Sequence, residues 1–235
     1  MKALILAAGY GTRLYPLTKN LAKPLIKIGD KTILEHIVKK IEEVEEVNEI
    51  SIISNNHFYN QFLSWKGNNY SCKKITIIND GTKNKDERLG AIGTIDYYIK
   101  KTKINEDLLI IAGDNLFGFS LKDLILDYKQ KKKISTVAFY DLKSKEKVKE
   151  KYGVGIVDQT NKLIGFEEKP TNPSTSLAST ACYLINYKDL HHVEKIIKDG
   201  RGDNLGDLIK SLCDHSNVNA FIFDEHWFDI GSFES

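Results

Sequence analysis

Two glycines and two cations follow the first apolar run of the chain, in "LAAGYGTRLYPLTKNLAKP": Gly9, Gly11, Arg13 and Lys23. Glycines let a backbone approach a ligand closely and present its amides. Arginine pairs bidentately with a phosphate, and lysine meets it as a point charge. The chemistry on offer is therefore phosphate binding. Two familiar loops are excluded. A P-loop requires GxxxxGK[ST], and no lysine-serine or lysine-threonine follows a matching glycine pair. A dinucleotide loop requires GxGxxG, and its third glycine is replaced here by Leu14; Asp30, near the spacing of a ribose-binding acid, sits in a "GDK" turn rather than at a strand end. Carboxylates complete the set. Asp114 closes "LLIIAGD" and Asp229 follows a further strand in "HWFDIG".

Short apolar runs closed by turn residues predict strands at residues 2–7, 49–54, 74–80 and 107–114. Between the first two, Ile33, Leu34, Ile37, Val38, Ile41 and Val44 form one helical stripe, opened by Thr32 and Glu35 at capping-box spacing. Strands alternating with helices imply a mostly parallel, Rossmann-like α/β sheet with helices on both faces. Ligands of such sheets lie beyond the carboxyl ends of the strands, so the loops after Ala7, Asp80 and Asp114 are expected to share one cleft. The second half changes character. "YGVGIVDQTNKLIGFEEKP" reads as a hairpin, "STACYLIN" as a strand, "YKDLHHVEKIIKDG" and "NLGDLIKSLCDH" as helices, and "VNAFIFDEHWFDIG" as a strand leading into an aromatic, acidic turn. A single domain spanning residues 1–235 is expected, with residues 1–142 mainly the nucleotide half and 143–235 an added β-rich lobe for the sugar phosphate.

Composition narrows the class. The chain has 34 basic and 32 acidic residues, a net charge of +2, which argues against a nucleic-acid partner. The run "KQKKK" at residues 129–133 reads as the solvated end of a helix. Cys72, Cys182 and Cys213 are isolated, suggesting neither a zinc site nor a disulfide framework. The first apolar stretch is too short for a membrane span and lacks a signal-peptide layout. A cytoplasmic protein with no membrane partner is expected. The paired His191 and His192 lack a partner motif and are read as structural or solvent-facing.

The long motif "LAAGYGTRLYPLTKNLAKP" is followed in order by "GDN" at residues 113–115, "YGVG" at 152–155, "EEKP" at 167–170 and "FDIG" at 228–231. On these motifs, over essentially its whole length, the chain resembles the sugar-1-phosphate nucleotidylyltransferases, or NDP-sugar pyrophosphorylases, in a short form similar to the glucose-1-phosphate thymidylyltransferases. The resemblance implies the nucleotidyltransferase fold and a reaction in which a nucleoside triphosphate and a sugar 1-phosphate give an NDP-sugar and pyrophosphate. It implies Arg13 and Lys23 on the triphosphate, with Leu6, Ala8, Gly9, Gly11, Thr12 and Gly90 around the nucleotide. It also implies Mg²⁺ held by Asp114 and Asp229, and Gly155, Glu168, Lys169 and, more weakly, Thr180 on the sugar phosphate. Members often carry a base-reading glutamine after the third strand. Here that segment is "NDGTKNKDERLGAIGT", without glutamine, and Asn79, Gly81 and Thr82 are the candidates in its place. Thymidine or uridine triphosphate with a hexose 1-phosphate is expected, because those are the commonest substrates of short members.

Two rivals stand beside this expectation: a cytidylyltransferase acting on phosphocholine, and a non-catalytic pyrophosphorylase-like subunit. The 235 residues leave no room for the β-helix or acetyltransferase domain of longer relatives, so regulation through such a domain is not expected. A homo-oligomer remains open.

Overall fold

The computed structural model describes residues 1–231. Strand β1 (Lys2–Leu6) lies at the centre of a nine-stranded mixed sheet, with its middle three residues buried. The chain leaves it through a loop and a two-stranded ribbon, β2 (Lys27–Ile28) and β3 (Lys31–Thr32), and enters helix α1 (Ile33–Glu42). The expected capping box starts α1: Glu35 N–H donates to Thr32 Oγ1 at 3.1 Å, and Thr32 N–H donates to Glu35 Oε2 at 2.8 Å. The helix ends before Val44, although Val44 is fully buried. The apolar period reported burial there, while the backbone had already turned toward the next strand.

Strand β4 (Glu49–Ser54), helix α2 (Tyr59–Asn68), strand β5 (Lys74–Asn79) and helix α3 (Gly90–Thr102) follow. The chain then returns to β6 (Leu108–Ala112) on the far side of β1. Strands β5, β4, β1 and β6 are parallel, with Leu4 opposite Ser51 on one side and Ile110 on the other. Because the chain moves from β1 outward to β5 and then back to β6, the sheet reverses direction between β1 and β6. A crevice opens at such a switch point.

Next come β7 (Asn115–Phe117), helix α4 (Leu121–Gln130), strand β8 (Thr136–Asp141) and the short helix α5 (Lys145–Val148). Lys132 and Lys133 follow α4 in left-handed turns, and Lys129 at its end pairs with Glu46, so the lysine run is the solvated helix end expected of it. The antiparallel hairpin of β9 (Val154–Val157) and β10 (Leu163–Glu167) forms one edge of the sheet. It joins the rest through β11 (Leu177–Ile185), which runs antiparallel to β6, β8 and β9. Helices α6 (His191–Lys198) and α7 (Leu205–His215), strand β12 (Asn219–Phe223) beside β8, and β13 (Trp227–Asp229) beside β7 complete the described chain.

The core has two layers. Ile33, Ile37, Phe62, Leu124 and Tyr128 bring α1, α2 and α4 onto one face of the sheet. Ile92, Tyr98, Ile196, Leu208 and Leu212 bring α3, α6 and α7 onto the other. Each large apolar side chain buried in this way contributes about 1.5–3 kcal/mol. The sheet's carboxyl end is therefore a rigid rim for the loops above it. His192 is buried where α6 meets α7, its Nδ1 3.0 Å from Ser211 Oγ, which makes it structural as expected. No helix among the described residues is long and apolar enough to cross a membrane.

Candidate active site

The glycine loop is built by one left-handed residue and one threonine. Gly11 has φ +63°, and a Cβ there would stand 3.0 Å from the Thr18 side chain. Thr18 is fully buried, and its Oγ1 donates to Gly11 O at 2.7 Å. This contact folds the loop into a 3-10 turn at Thr12–Leu14 that buries Leu14 and leaves Arg13 exposed. A second 3-10 turn, Lys23–Leu25, returns the chain to the rim, with Ala22 N–H held by Gln61 Oε1 at 3.0 Å. A Cβ at Gly9 would meet nothing within 4 Å. Its open side faces the cleft.

That cleft has a volume of about 310 Å³, and the loops after β1, β5 and β6 all reach it. Leu6, Ala8, Gly9, Gly11, Thr12, Arg13, Lys23, Gly90 and Asp114 line it together. Lys23 Nζ lies 2.7 Å from Asp114 Oδ2, and Asn115 Nδ2 donates to Asp114 Oδ1 at 3.0 Å. The ribbon of β7 and β13 sets Asp229 opposite Asn115, and Ile230 N–H donates to Asp114 O at 3.0 Å. Trp227 Nε1 donates to Asn115 Oδ1 at 2.7 Å and locks the two strands. Burial and the charge of Asp114 push the Asp229 carboxyl above its ordinary value, while Lys23, Arg13 and Lys169 draw it back. Four charged side chains named from the sequence, Asp114, Lys23, Arg13 and Lys169, thus act on Asp229, and three of them, Arg13, Lys23 and Asp114, line one end of the cleft.

The same pair of carboxylates bears on a magnesium ion. No group of three or more His, Cys, Asp or Glu side chains among the described residues forms a metal cage. Magnesium takes one or two carboxylates and completes its shell with phosphate oxygens and water, so a cage is not required. The half-buried Asp229 carboxylate accepts no hydrogen bond among the described residues and feels the charge of Asp114, a condition that a hard cation relieves. The residues fit the ion.

Beyond this end, Glu168 follows β10 against helix α7. A Cβ at Gly206 would stand 3.1 Å from Glu168 Cδ and 2.8 Å from Phe166 Cε1, with Glu168 Oε2 nearer still. Burial pushes the Glu168 carboxyl up, opposed by Lys169 and Lys210. Lys169 is exposed and has a left-handed backbone, φ 44°.

Three sequence readings need correction here. Thr180 is 1% exposed, and its hydroxyl donates to Ala138 O at 2.9 Å, so it belongs to the interior of the sheet and not to a ligand surface. Gly155 is packed, since a Cβ there would stand 2.6 Å from Phe139; its carbonyl accepts from Thr175 Oγ1 at 2.6 Å. The glycine of "YGVG" that adjoins Glu168 is Gly153, whose Cβ would lie 3.2 Å from Oε2. Asn79 turns its amide to Asn56 Oδ1 at 2.8 Å and accepts from Gly81 N–H at 2.8 Å, so neither Asn79 nor Gly81 lines the cleft. Thr82 is buried and donates to Asp80 Oδ1. It is Asp80 that reaches the cleft. The reading that selected Asp114, an acid at the carboxyl end of a buried strand, would have found it.

The family model described as "Nucleotidyl transferase" matches residues 2–235. The chain belongs to this family. Among curated relatives it is 33% identical to the bifunctional protein GlmU of Methanococcus aeolicus, over 98% of this chain and 51% of that one. It is 27% identical to a glucose-1-phosphate adenylyltransferase of Thermosipho africanus, over 99% of this chain and 59% of that one. The chain thus spans little more than half the length of these relatives. Among solved structures, one from Bacillus anthracis described as a glucose-1-phosphate thymidylyltransferase superposes with a TM-score of 0.85 at 24% identity, covering 100% of this chain and 92% of that one. An apo UDP-glucose pyrophosphorylase superposes at 0.82 with 20% identity, covering 100% and 94%. At these identities the structures establish the nucleotidyltransferase fold for this chain.

Proposed function

We propose that this protein joins a nucleoside triphosphate to a sugar 1-phosphate, giving an NDP-sugar and pyrophosphate. The observation that carries the reading is that Arg13, Lys23 and Asp114 line the glycine-bordered cleft and, with Lys169, act on the charge of Asp229. The nucleophile is a phosphate oxygen, already anionic near neutral pH because the second pKa of a phosphate monoester is about 6. A general base is therefore unnecessary, and catalysis consists of positioning two polyanions and neutralising their charge. Gly9 and Gly11 admit the triphosphate to the loop backbone. Arg13 and Lys23 hold it and stabilise the departing pyrophosphate. Lys169 pairs with the phosphate of the sugar, and Glu168 accepts hydrogen bonds from sugar hydroxyls. Asp114 and Asp229 would hold a magnesium ion, which supplies charge neutralisation at the phosphates when bound. The attacking oxygen bonds to the α-phosphorus as the bond to pyrophosphate breaks in line with it.

Two observations weigh against the rivals. A phosphocholine site needs an aromatic cage for its quaternary ammonium. The aromatic groups beside Asp229 instead pack on each other, with Tyr152 and Trp227 edge to face at 5.0 Å, and the indole N–H of Trp227 is bound to Asn115. A non-catalytic relative would have no need to keep both carboxylates and both loop cations. The test is pyrophosphate release with Mg²⁺ from five nucleoside triphosphates, each offered a panel of sugar 1-phosphates and phosphocholine. Release that depends on a sugar 1-phosphate is expected. Release only with phosphocholine, or none from folded protein across a broad panel, would count against the reading.

A further inference from the structure

The carboxyl ends of the parallel strands form a line in the order β5, β4, β1, β6, and the loops after β5, β1 and β6 line the cleft. Asp114 follows β6, while Asp80 follows β5. Three strand spacings separate them, about 14 Å at roughly 4.8 Å each. If the triphosphate lies among Arg13, Lys23 and Asp114, the nucleoside must extend toward Asp80.

Asp80 is 9% exposed and lines the cleft. Its Oδ1 accepts from both the N–H and the Oγ1 of Thr82, each at 2.8 Å. The Thr82 hydroxyl in turn accepts from Tyr10 OH at 3.3 Å, tying the arrangement to the glycine loop. On the backbone, Asp80 N–H donates to Ser54 O and Asn56 N–H donates to Thr82 O, both at 2.9 Å. The carboxylate is thus held in one orientation. Its Oδ2 has no hydrogen bond among the described residues, and Arg88, a cation of the same rim, is paired with Asp203 at 2.7 Å. Burial pushes the carboxyl up, and only the bonds from Thr82 oppose it. Asp80 lines the cleft with Oδ2 unpaired among the described residues, so a donor on the ligand would meet it in a charge-assisted hydrogen bond.

We propose that Asp80 reads the nucleobase through Oδ2 and selects a base whose edge carries an amino group, namely cytosine, adenine or guanine, against uracil and thymine. A carboxylate only accepts, and an amino group only donates. Uracil and thymine have one edge donor, N3–H, flanked on both sides by carbonyl oxygens. Bringing that donor to Oδ2 also brings a carbonyl oxygen against the carboxylate, a repulsive element that discriminates. The inference rests on the cleft being a nucleoside triphosphate site. It replaces the expectation of thymidine or uridine, which came from the commonness of those substrates in short relatives.

The test is equilibrium dialysis of the intact protein in Mg²⁺ with CTP, ATP, GTP, UTP and dTTP in turn. At least one amino-bearing nucleotide should bind roughly 10- to 100-fold tighter than UTP and dTTP, the range of a charge-assisted hydrogen bond. Asp80→Asn keeps an oxygen for Thr82 but turns an amide N–H₂ to the ligand, so the preference should shrink or reverse. A purely structural role would weaken all five nucleotides alike, and an unchanged ratio in the folded variant would overturn the proposal. So would UTP or dTTP binding the wild type as tightly as every amino-bearing nucleotide, an outcome that leaves the triphosphate site itself standing. Failure of all five to bind would overturn both readings.

Discussion

Gly206→Ala probes the sugar side of the site without replacing a charged group. Gly206 lies in the first turn of α7, where alanine is the better helix former by about 1 kcal/mol. The added Cβ would nevertheless stand 2.8 Å from Phe166 Cε1 and 3.1 Å from Glu168 Cδ, against ordinary contacts of 3.4–4 Å. The Glu168 carboxylate, closer still, must retreat by about 1 Å at the end of a flexible side chain, which costs the fold little. The two effects on stability oppose each other, and the melting temperature should move by only a few degrees. The effect on function is one-sided, because a displacement of about 1 Å in a substrate-positioning group can cost roughly 100-fold. Steady-state kinetics should show kcat/KM for the sugar phosphate falling on that scale, with nucleotide binding by equilibrium dialysis unchanged. An unchanged sugar-phosphate kcat/KM in a natively folded variant would refute the placement of Glu168. Equal losses for both substrates would show that the clash spreads beyond it.

Asp114→Asn should lower turnover by roughly 100- to 1,000-fold while circular dichroism and thermal melting stay near wild type, because a charge beside the reacting phosphates is lost from a partly exposed site. Lys169→Ala should raise the KM for the sugar phosphate about 10-fold and leave that for the nucleotide near wild type; an effect confined to the nucleotide would put the lysine in the wrong half of the cleft. Glu49, at the start of β4, is held at a pKa of about 2, below an ordinary 4.5, chiefly by its hydrogen bond with Lys74, then by Thr76 and Lys2. A depressed carboxyl stabilises the fold above its unfolded pKa and loses that contribution as pH falls through the folded one. Glu49→Gln should therefore cost about 2 kcal/mol in urea unfolding at pH 7, and its difference from wild type should fade between about pH 5 and 2.

The parallel half of the sheet was readable because its strands are short Ile-rich runs punctuated by glycine and acid, so each strand end could be named and with it Lys23's partner, Asp114. Readability declined where chain geometry departs from simple alternation. Thr180 lies where β11 shifts register between Ser179 and Tyr183, with Ala181 at φ 53°. A bulge changes which side chains face which side, and nothing in "STACYL" marks it. Gly153 precedes β9 while Gly155 lies inside it, so two glycines in one short motif meet different neighbours, Glu168 and Phe139. Asp80 is hard to single out in the sequence because it stands between an amide and a hydroxyl residue, Asn79 and Thr82, that offer the same polar contacts. Those groups, Asn79 and Thr82, turned out to be held by the protein itself.

The central claim is a single direct transfer between two bound substrates, and the stereochemical course at the α-phosphorus tests it most directly. One diastereomer of an α-thio nucleoside triphosphate would be converted with the sugar 1-phosphate, and the configuration of the product assigned by phosphorus NMR. In-line attack by the sugar phosphate predicts inversion. Retention would require two displacements and a nucleotidyl group carried on a protein side chain, and would contradict the account.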